Sequence, residues 1–207
     1  MQENKNSVIV IGYSSHSYVL IETLTELGYP IFGYTEKKQK TKNPFNLKYL
    51  GNEMDPAFNF FKKKFQYAIG VGDNTVRCSV GDFLRTKSCK VVNAIHPDTS
   101  ISNNISLGTG IFIARNVSIN SFTSIENDVI INTSATIDHE CFIGRGSHIA
   151  PGSVLLGNVK VGKNSFIGAN SVVKEGIVIG NNVVIGAGSV VLKNVENNKI
   201  IYGNPAK

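Results

Sequence analysis

Residues 137–173 read IDHECF-IGRGSH-IAPGSV-LLGNVK-VGKNSF-IGANSV-V, and each group of six begins with isoleucine, leucine or valine. The pattern extends on both sides, because every sixth residue from Ile95 to Val191 is one of these three. Neither the 3.6-residue period of a helix nor the two-residue period of a strand produces such a series. A fixed short period of this kind predicts a solenoid of stacked coils.

Each group of six is predicted to form a short strand followed by a bend. Glycine often follows the apolar anchor, and a small or β-branched residue usually lies four positions after it, as at Ala135 and Ser147. Three groups then make one triangular coil of eighteen residues, with the anchors facing a narrow core. Residues eighteen apart lie over one another at roughly 4.8 Å, the strand spacing of a parallel sheet. This register places His139 beside Gly157.

The repeat leaves the first part of the 207-residue chain for a second domain. We therefore predict one domain over residues 1–94 and the solenoid over residues 95–207. The formal net charge is +6, but the lysines lie in local clusters at 37–42 and 62–64, which are typical of a solvated face. Nucleic acid is therefore not predicted as a partner, whereas an anionic small substrate suits the mild basicity.

The three cysteines are odd in number and form no Cys-x-x-Cys pair, which favours a reducing, cytoplasmic location over a disulfide framework. No metal is predicted. A zinc enzyme on the same solenoid would need three convergent histidines, and only His139 and His148 lie in the coils beyond the domain junction. Residues 1–6 are polar and the apolar run after them is short, which predicts neither a signal peptide nor a membrane span.

The amino-terminal part alternates between strand and helix patterns. Strands are predicted at 7–11, 31–34, 67–71 and 90–94, and helices at 16–27 and 74–84. Such alternation predicts a small parallel α/β domain of the Rossmann-like type. Its ligands are expected at the carboxyl ends of the strands.

The turn after the first strand reads GYSSHS at 12–17. It lacks the second and third glycines of the dinucleotide fingerprint, which argues against NAD and a dehydrogenase. The Ser14 and Ser15 hydroxyls, together with the N–H groups at the start of the helix, suit a phosphate. The alternative is an ordinary capped helix, with Ser14 or Ser15 as the cap.

The segment NTSATIDHEC at 132–141 contains an imidazole followed by a carboxylate at a solenoid corner, where Gly, Asn or Asp is usual. It resembles the Asn-Thr-x-x-x-Ile-Glu/Asp-His-Glu/Asp-Cys motif of the bacterial nucleotide-amino-sugar N-acetyltransferases, which are hexapeptide-repeat enzymes. GYSSH at 12–16 is similar to their Gly-x-Ser-Gly-His segment, VGDNTVR at 71–77 to their Ile-Gly-x-Asn-x-x-Arg stretch, and GNPAK at 203–207 to a common ending. The resemblance implies a Rossmann-like domain followed by a left-handed parallel β-helix.

The resemblance also implies that the α/β domain binds a nucleotide-sugar. Ser15 replaces a family glycine and Thr35 departs from the family's acidic pair, so the identity of the base stays open. The implied substrate-binding residues are Ser14, Ser15 and His16 at the phosphates, Gly72 against the nucleotide, Thr35 and Glu36 near the base or ribose, and Asn132 from the corner motif.

By the same resemblance, His139 is the general base and Glu140 increases its basicity and fixes its tautomer. An imidazole, with a pKa of about 6.5, suits removal of a proton from a sugar amine that attacks a thioester. Transfer from acetyl-CoA is direct, because a thioester needs no acyl-enzyme intermediate. Consecutive residues of a strand point to opposite faces, so Glu140 reaches His139 only if the pair lies at a bend.

The acetyl donor is expected along the solenoid. The resemblance assigns His148 to the donor, and columns of small residues in register would leave a shallow channel for its pantetheine arm. The alternative is that corners simply favour small residues. The predicted cofactor-binding residues are His148, Gly157, Gly168, Ala169, Gly186 and Ala187.

We therefore predict an acetyl-CoA-dependent N-acetyltransferase acting on the amine of a nucleotide-linked 4-amino-4,6-dideoxysugar in bacterial surface glycan synthesis. The resemblance implies a homotrimer with active sites between neighbouring solenoids. The nearest alternative is an O-acetyltransferase acting on a sialic acid or a related sugar hydroxyl. A non-catalytic nucleotide-sugar binder is a further alternative, against which the intact His139–Glu140 pair argues.

Overall fold

The computed structural model describes residues 7–62 and 64–207. The polar stretch 1–6, on which the absence of a signal peptide was predicted, and Lys63 of the second lysine cluster lie outside the described residues. The chain divides into two compact units, Met1–Ala94 and Ile95–Lys207, and the division falls where the six-residue repeat begins.

The amino-terminal unit is a parallel α/β sheet with two helices, as the sequence predicts. Its strands lie in the order β2-β1-β3-β4, and every pairing is parallel. The elements are β1 Val8–Ile11, α1 Ser15–Glu26, β2 Ile31–Thr35, a short 3-10 helix Phe60–Lys62, β3 Gln66–Ile69, α2 Asn74–Thr86 and β4 Lys90–Val91. The fourth strand is shorter than predicted.

The central strand β1 is apolar throughout because both of its faces are covered. All four of its residues are buried, which is the pattern of a parallel strand with cover on both faces. Helix α1 buries Leu20, Ile21 and Leu24 and stops before Gly28, whose φ of +76° is the left-handed conformation that commonly ends a helix. Gly28 therefore ends α1 before the chain enters β2.

The second unit is a triangular solenoid of about six turns. Its two-residue strands form a five-stranded, a seven-stranded and a six-stranded parallel sheet. The strands are β5 Ala94–Ile95, β6 Ser100–Ile101, β7 Ser106–Leu107, β8 Phe112–Ile113, β9 Ser118–Ile119, β10 Ser124–Ile125, β11 Ile130–Ile131, β12 Thr136–Ile137, β13 Phe142–Ile143, β14 His148–Ile149, β15 Val154–Leu155, β16 Lys160–Val161, β17 Phe166–Ile167, β18 Val172–Val173, β19 Val178–Ile179, β20 Val184–Ile185, β21 Val190–Val191 and β22 Ile200–Ile201.

The register predicted from the period is confirmed along most of the solenoid. Ile137 pairs with Leu155, and Leu155 pairs with Val173, so each step along a sheet is eighteen residues. The last coil is shorter, because Val184 pairs with Ile200. The six-residue anchors fill the core, where Ile137, Ile143 and Ile149 are fully buried, and each such burial stabilises by about 1.5–3 kcal/mol.

The corners of the triangle turn through the left-handed backbone region. Every sixth residue from Gly110 to Gly188 has a positive φ. Buried serines tie one coil to the next, since the Ser147 hydroxyl donates to the Gly162 carbonyl at 2.7 Å. We name two corners by their residues. The His139 corner joins the six-stranded to the five-stranded sheet (120–123, 138–141, 156–159 and 174–177), and the Asn132 corner joins the seven-stranded to the six-stranded sheet (132–135, 150–153, 168–171 and 186–189).

Candidate active site

His139 and Glu140 lie at a bend, as their proposed pairing requires. They follow β12, and Glu140 has a φ of +58°, which turns its side chain back toward the imidazole. The Nδ1 atom of His139 lies 3.0 Å from Oε2 of Glu140. Because a carboxylate accepts a hydrogen bond, Nδ1 carries the proton in this pair and Nε2 is left as an acceptor. The imidazole is 54% exposed, so this nitrogen is open to a substrate.

Asp138 places a second carboxylate beside the same imidazole. Its Oδ2 atom lies 4.0 Å from Nε2 of His139, while Oδ1 accepts hydrogen bonds from the Asn120 amide and the His139 backbone N–H, both at 2.8 Å. These two donors, the Asn120 amide first, hold the pKa of the Asp138 carboxyl below its usual range. The sequence motif contains Asp138, and Asn120, eighteen residues earlier, lies over it by the register of the repeat, although the sequence analysis did not single it out.

Gly157 lies against the imidazole, as the eighteen-residue register predicts. A Cβ atom at Gly157 would lie 2.6 Å from Cε1 and 2.8 Å from Nε2 of His139. Together with Asp138, Leu156 and Glu175, these residues line an open cleft at the His139 corner. The imidazole can occupy this position because Gly157 has no side chain.

Cys141, next to Glu140, faces the core. It is buried, and its thiol donates to the Leu156 carbonyl at 3.3 Å. Burial raises the pKa of the Cys141 thiol to about 11. This environment disfavours the thiolate that a cysteine nucleophile would need.

Asn132 and His148 are brought together, but at a different corner from His139. The Asn132 amide nitrogen lies 3.1 Å from Nε2 of His148, and the His148 ring packs edge-on against Phe166 with the centroids 5.1 Å apart. Asn132 follows β11 and His139 follows β12, so one side of the triangle separates them. A side of this length is on the order of 15–20 Å.

The small residues predicted to line a pantetheine channel have a packing reason of their own. A Cβ at Gly168 would lie 2.5 Å from the Ala187 backbone nitrogen and 2.7 Å from the Gly186 carbonyl carbon. A Cβ at Gly186 would lie 2.7 Å from Cβ of Tyr202. Close stacking of the coils thus accounts for both glycines, while the role of Gly168, Ala169, Gly186 and Ala187 toward the cofactor stays a prediction.

In the amino-terminal unit, a pocket opens at the carboxyl edge of the sheet. It brings together three of the predicted residues, Ser14, Glu36 and Gly72. His16 lies beside it, since a Cβ at Gly72 would contact the His16 ring at 3.7 Å. Ser15 is exposed and Thr35 is fully buried, and neither lines the pocket. The other lining residues are Ile11, Gly12, Lys37, Glu53, Gly70, Val71, Asp73, Val76 and Val80.

The turns around this pocket are held by internal hydrogen bonds. Ser14 is the N-cap of α1, and its backbone N–H donates to Oγ of Ser17 at 2.9 Å. The buried guanidinium of Arg77 donates to the Gly72 carbonyl at 2.7 Å and to Asn74 Oδ1 at 2.8 Å. Burial, together with the charge of Arg77, lowers the pKa of His16 to about 4, so this imidazole is neutral near pH 7.

Three carboxylates line the pocket, and they differ in their partners. Asp73 caps α2, because its Oδ1 atom accepts from the Val76 backbone N–H at 2.9 Å. Glu36 is engaged by the protein itself, because its oxygens accept from the backbone N–H groups of Tyr13 and Lys37 and one lies 3.3 Å from Nζ of Lys40. Glu53 is different. Its Oε2 atom is buried and has no hydrogen-bond partner among the residues that the structure describes. Glu53 was missed in the sequence, where it stands in a loop without periodicity.

Within the described residues, no three or more His, Cys, Asp or Glu side chains are grouped so that they could hold a metal ion. Over residues 7–62 and 64–207, no helix is long and apolar enough to cross a membrane.

Residues 7–82 match the family described as the PglD N-terminal domain, and residues 158–193 match the bacterial transferase hexapeptide (six repeats) family. A search among curated protein sequences finds no match. Solved structures are similar over nearly the whole chain. One is a histidine-to-asparagine variant of perosamine N-acetyltransferase from Caulobacter crescentus in complex with CoA and GDP-perosamine. It is 30% identical, with a TM-score of 0.91, over 97% of this chain and 95% of that chain.

A second is the acetyltransferase domain of PglB from Neisseria gonorrhoeae FA1090 in complex with acetyl coenzyme A. It is 26% identical, with a TM-score of 0.91, over 99% of this chain and 98% of that chain. WeeI from Acinetobacter baumannii AYE, 20% identical with a TM-score of 0.87 over 98% of this chain and 99% of that chain, shares the fold. These matches confirm the predicted left-handed parallel β-helix, which follows the α/β unit in the chain. The chain belongs to the family of hexapeptide-repeat sugar N-acetyltransferases that carry a PglD-type amino-terminal domain.

Proposed function

We propose that this chain transfers the acetyl group of acetyl-CoA to the amine of a nucleotide-linked 4-amino-4,6-dideoxysugar, in bacterial surface glycan synthesis. The observation that carries the proposal is the imidazole of His139, which has Glu140 on Nδ1 and an open Nε2 above Gly157. The similar enzymes with CoA, acetyl-CoA or GDP-perosamine bound support the substrate classes.

In the proposed reaction, Nε2 of His139 takes a proton from the sugar amine as its nitrogen attacks the thioester carbonyl carbon. Glu140 stabilises the imidazolium that forms, through the Nδ1–H bond. The tetrahedral intermediate collapses with cleavage of the carbon–sulfur bond. The leaving thiolate then receives the proton from Nε2, which gives the acetamido sugar and CoA thiol and returns the imidazole to its neutral form. Cys141 is buried and takes no part.

The nucleotide is proposed to bind at the carboxyl edge of the amino-terminal sheet. The amino-terminal N–H groups of α1, next to Ser14 and Ser15, suit the diphosphate. Gly72 would lie against the nucleotide, with His16 beside it. The buried oxygen of Glu53 supplies an acceptor for an N–H or O–H group of the base or ribose. The engagement of Glu36 by its own loop gives it the role of shaping this pocket.

We also propose a homotrimer. If His139, Asn132 and His148 serve one active site, they must come from neighbouring copies, because the Asn132–His148 pair and His139 are separated by one side of the solenoid. In that arrangement His148 would reach the acetyl donor with Gly168, Ala169, Gly186 and Ala187 along its path. Use of acetyl-CoA favours a cytoplasmic location. Sedimentation equilibrium tests the oligomeric state, and a stable monomer with full activity would contradict it.

The test of function is turnover with a panel of GDP-, UDP- and dTDP-linked 4-amino-4,6-dideoxysugars. Release of CoA thiol and the mass of an added acetyl group are measured together. His139→Ala should lower kcat by at least about 10²-fold, because general-base catalysis is typically worth 10² to 10⁴. Acetyl-CoA affinity should stay nearly unchanged. Turnover of hydroxy sugars alone would favour the O-acetyltransferase, and unchanged turnover in His139→Ala would refute the mechanism.

A further inference from the structure

The imidazole of His139 lies between two carboxylates that contact different ring nitrogens. Glu140 accepts a hydrogen bond from Nδ1–H, and this bond stabilises the imidazolium in the proposed reaction. Asp138 lies on the other side, with Oδ2 at 4.0 Å from Nε2, the nitrogen that takes the proton. A group that brings its proton to Nε2 therefore also approaches Oδ2 of Asp138.

Asp138 is held so that only one of its oxygens faces outward. Oδ1 is occupied by the Asn120 amide and by the His139 backbone N–H. Oδ2 makes no hydrogen bond with any residue that the structure describes, and the side chain is 32% exposed, in the lining of the cleft. The two donors to Oδ1 also favour the ionised carboxylate, which keeps a negative charge at Oδ2 near neutral pH.

The acceptors considered for this enzyme differ in charge. An alkyl amine is largely protonated near neutral pH, so a 4-amino sugar arrives as an ammonium, whereas a hydroxyl arrives neutral. The bound ammonium first gives up one proton to solvent, and the neutral amine then passes a second proton to Nε2 as its nitrogen attacks the thioester. The leaving thiolate takes that second proton from Nε2. A positive charge therefore lies within reach of Oδ2 twice, on the ammonium before the reaction and on the imidazolium during it. A hydroxyl acceptor can donate a hydrogen bond to this carboxylate but brings no positive charge, so it binds there more weakly.

We propose that Asp138 selects an amine over a hydroxyl by binding the substrate ammonium through Oδ2. The inference rests on the proposed function and names the residue that sets its acceptor class. Asn120 is a positioning residue, because its amide fixes the carboxylate from the preceding coil. Asp138 would be a residue that touches the substrate.

The test uses matched pairs of nucleotide sugars that differ only at C4. GDP-perosamine is compared with its 4-hydroxy analogue GDP-rhamnose, and the corresponding UDP and dTDP pairs are included. Binding to the intact protein is measured by calorimetry in the absence of acetyl-CoA. The wild type should bind the amino sugar about fivefold to tenfold more tightly than the hydroxy sugar, as expected for a partly exposed charged hydrogen bond.

Asp138→Asn keeps the shape of the side chain and an acceptor for Asn120, and it should bring the amino-to-hydroxy affinity ratio close to one. Asn120→Ala leaves the charge but frees the carboxylate, so it should lower the ratio by a smaller factor and tests the inference if Asp138→Asn folds poorly. Glu175→Gln is the matched control, because it removes one carboxylate charge from the same cleft and should leave the ratio as in the wild type.

The outcomes separate the two proposals. A wild type that acetylates none of the amino sugars refutes the proposed function. A wild type that acetylates them, with a ratio unchanged in both Asp138→Asn and Asn120→Ala, refutes the role of Asp138 alone. The role of Asp138 is also refuted if Glu175→Gln brings the amino-to-hydroxy affinity ratio close to one while Asp138→Asn leaves it unchanged. The ammonium would then bind elsewhere in the cleft.

Discussion

A single methyl group added at Gly157 should displace the imidazole of His139. The Cβ of Gly157→Ala would lie 2.6 Å from Cε1, whereas ordinary contacts of a Cβ begin at 3.4 Å. The imidazole must therefore retreat by about 0.8 Å, since the ring is the end of a flexible side chain and the Gly157 backbone is fixed by the coil. Misplacement of a reacting group by about 1 Å can lower the rate 10²-fold. We expect kcat to fall by about that factor.

The same substitution should cost the fold little. The φ of Gly157 is outside the left-handed region, and the three nearest atoms to the new Cβ all belong to the His139 ring. Gly157 is buried, but the His139 ring that the new methyl group meets is half exposed and can move. The free energy of unfolding should therefore change by no more than about 1 kcal/mol. A large loss of kcat with little loss of stability separates displacement of the base from unfolding.

Gly28→Ala is the matched control. Gly28 has a φ of +76° and open space around it, so alanine there strains the backbone and touches nothing. This control should lose about 1 kcal/mol of stability and keep kcat at the wild-type value. Thermal unfolding and steady-state rates are measured side by side. A folded Gly157→Ala enzyme with undiminished kcat would show that the imidazole at Gly157 is not the base, and the mechanism would be wrong.

Three further perturbations test the site. Glu140→Gln should lower kcat less than His139→Ala does and move the acidic limb of the kcat–pH profile to lower pH, because the imidazolium loses its carboxylate partner; an unmoved limb would contradict the pairing. Glu53→Gln should weaken binding of the cognate nucleoside diphosphate about tenfold by calorimetry, and tighter binding would mean that the carboxylate only repels the phosphates. The pKa of His16 is about 4, below the value of about 6.5 in an unfolded chain, so the unfolded state takes up the proton first. Stability should fall as pH drops from about 6.5 toward 4, and His16→Asn should flatten this fall in melting temperature; an equally steep fall in the variant would refute the buried, neutral imidazole.

The register of the solenoid could be predicted from sequence to the residue. Each anchor must face the core, and a shift by one position would expose every anchor at once, so the pairing of residues eighteen apart is strongly fixed. That is why the six-residue period alone suffices to place His139 beside Gly157. The last coil is the exception, since Asn197 stands where the six-residue period requires an apolar anchor, and the structure shortens that coil.

The composition of a column of residues eighteen apart does not show what lies against each glycine in it. Gly157 is the second residue after its anchor and Gly168 is the first. The absent Cβ of Gly157 points to the imidazole of the preceding coil, and that of Gly168 points to the backbone of the following coil. The difference lies in where each residue stands within its bend. Composition of a column therefore predicts close stacking, and only the backbone direction shows which glycine makes room for a functional side chain.

The pocket proposed for the nucleotide lies at the edge of the sheet where the sequence predicts it and contains the predicted residues Ser14, Glu36 and Gly72, but Glu53 was not predicted. Glu53 reaches the pocket because the segment before it pairs with the end of β2, where the Tyr34 backbone N–H donates to the Lys48 carbonyl at 2.9 Å and that of Glu36 donates to the Gly51 carbonyl at 3.2 Å. This pairing is too short to leave a periodic pattern. The carboxylate of Glu53, distant in sequence, therefore lies in the same pocket as Gly12 and Gly72 through contacts that no sequence pattern predicts.

The residue types at the corner positions with positive φ are visible in the sequence. From Gly110 to Gly188, the residues at positive φ are Gly, Asn, Asp or Ser, apart from Glu140 and Phe122. A bulky side chain in this conformation is a genuine outlier, and such strain costs on the order of 1–3 kcal/mol. The two exceptions are eighteen residues apart, so they lie in consecutive coils of the same corner, and Phe122 is 70% exposed. Strain of this kind collects where function requires a particular side chain, and both exceptions stand at the His139 corner, where the chemistry is proposed.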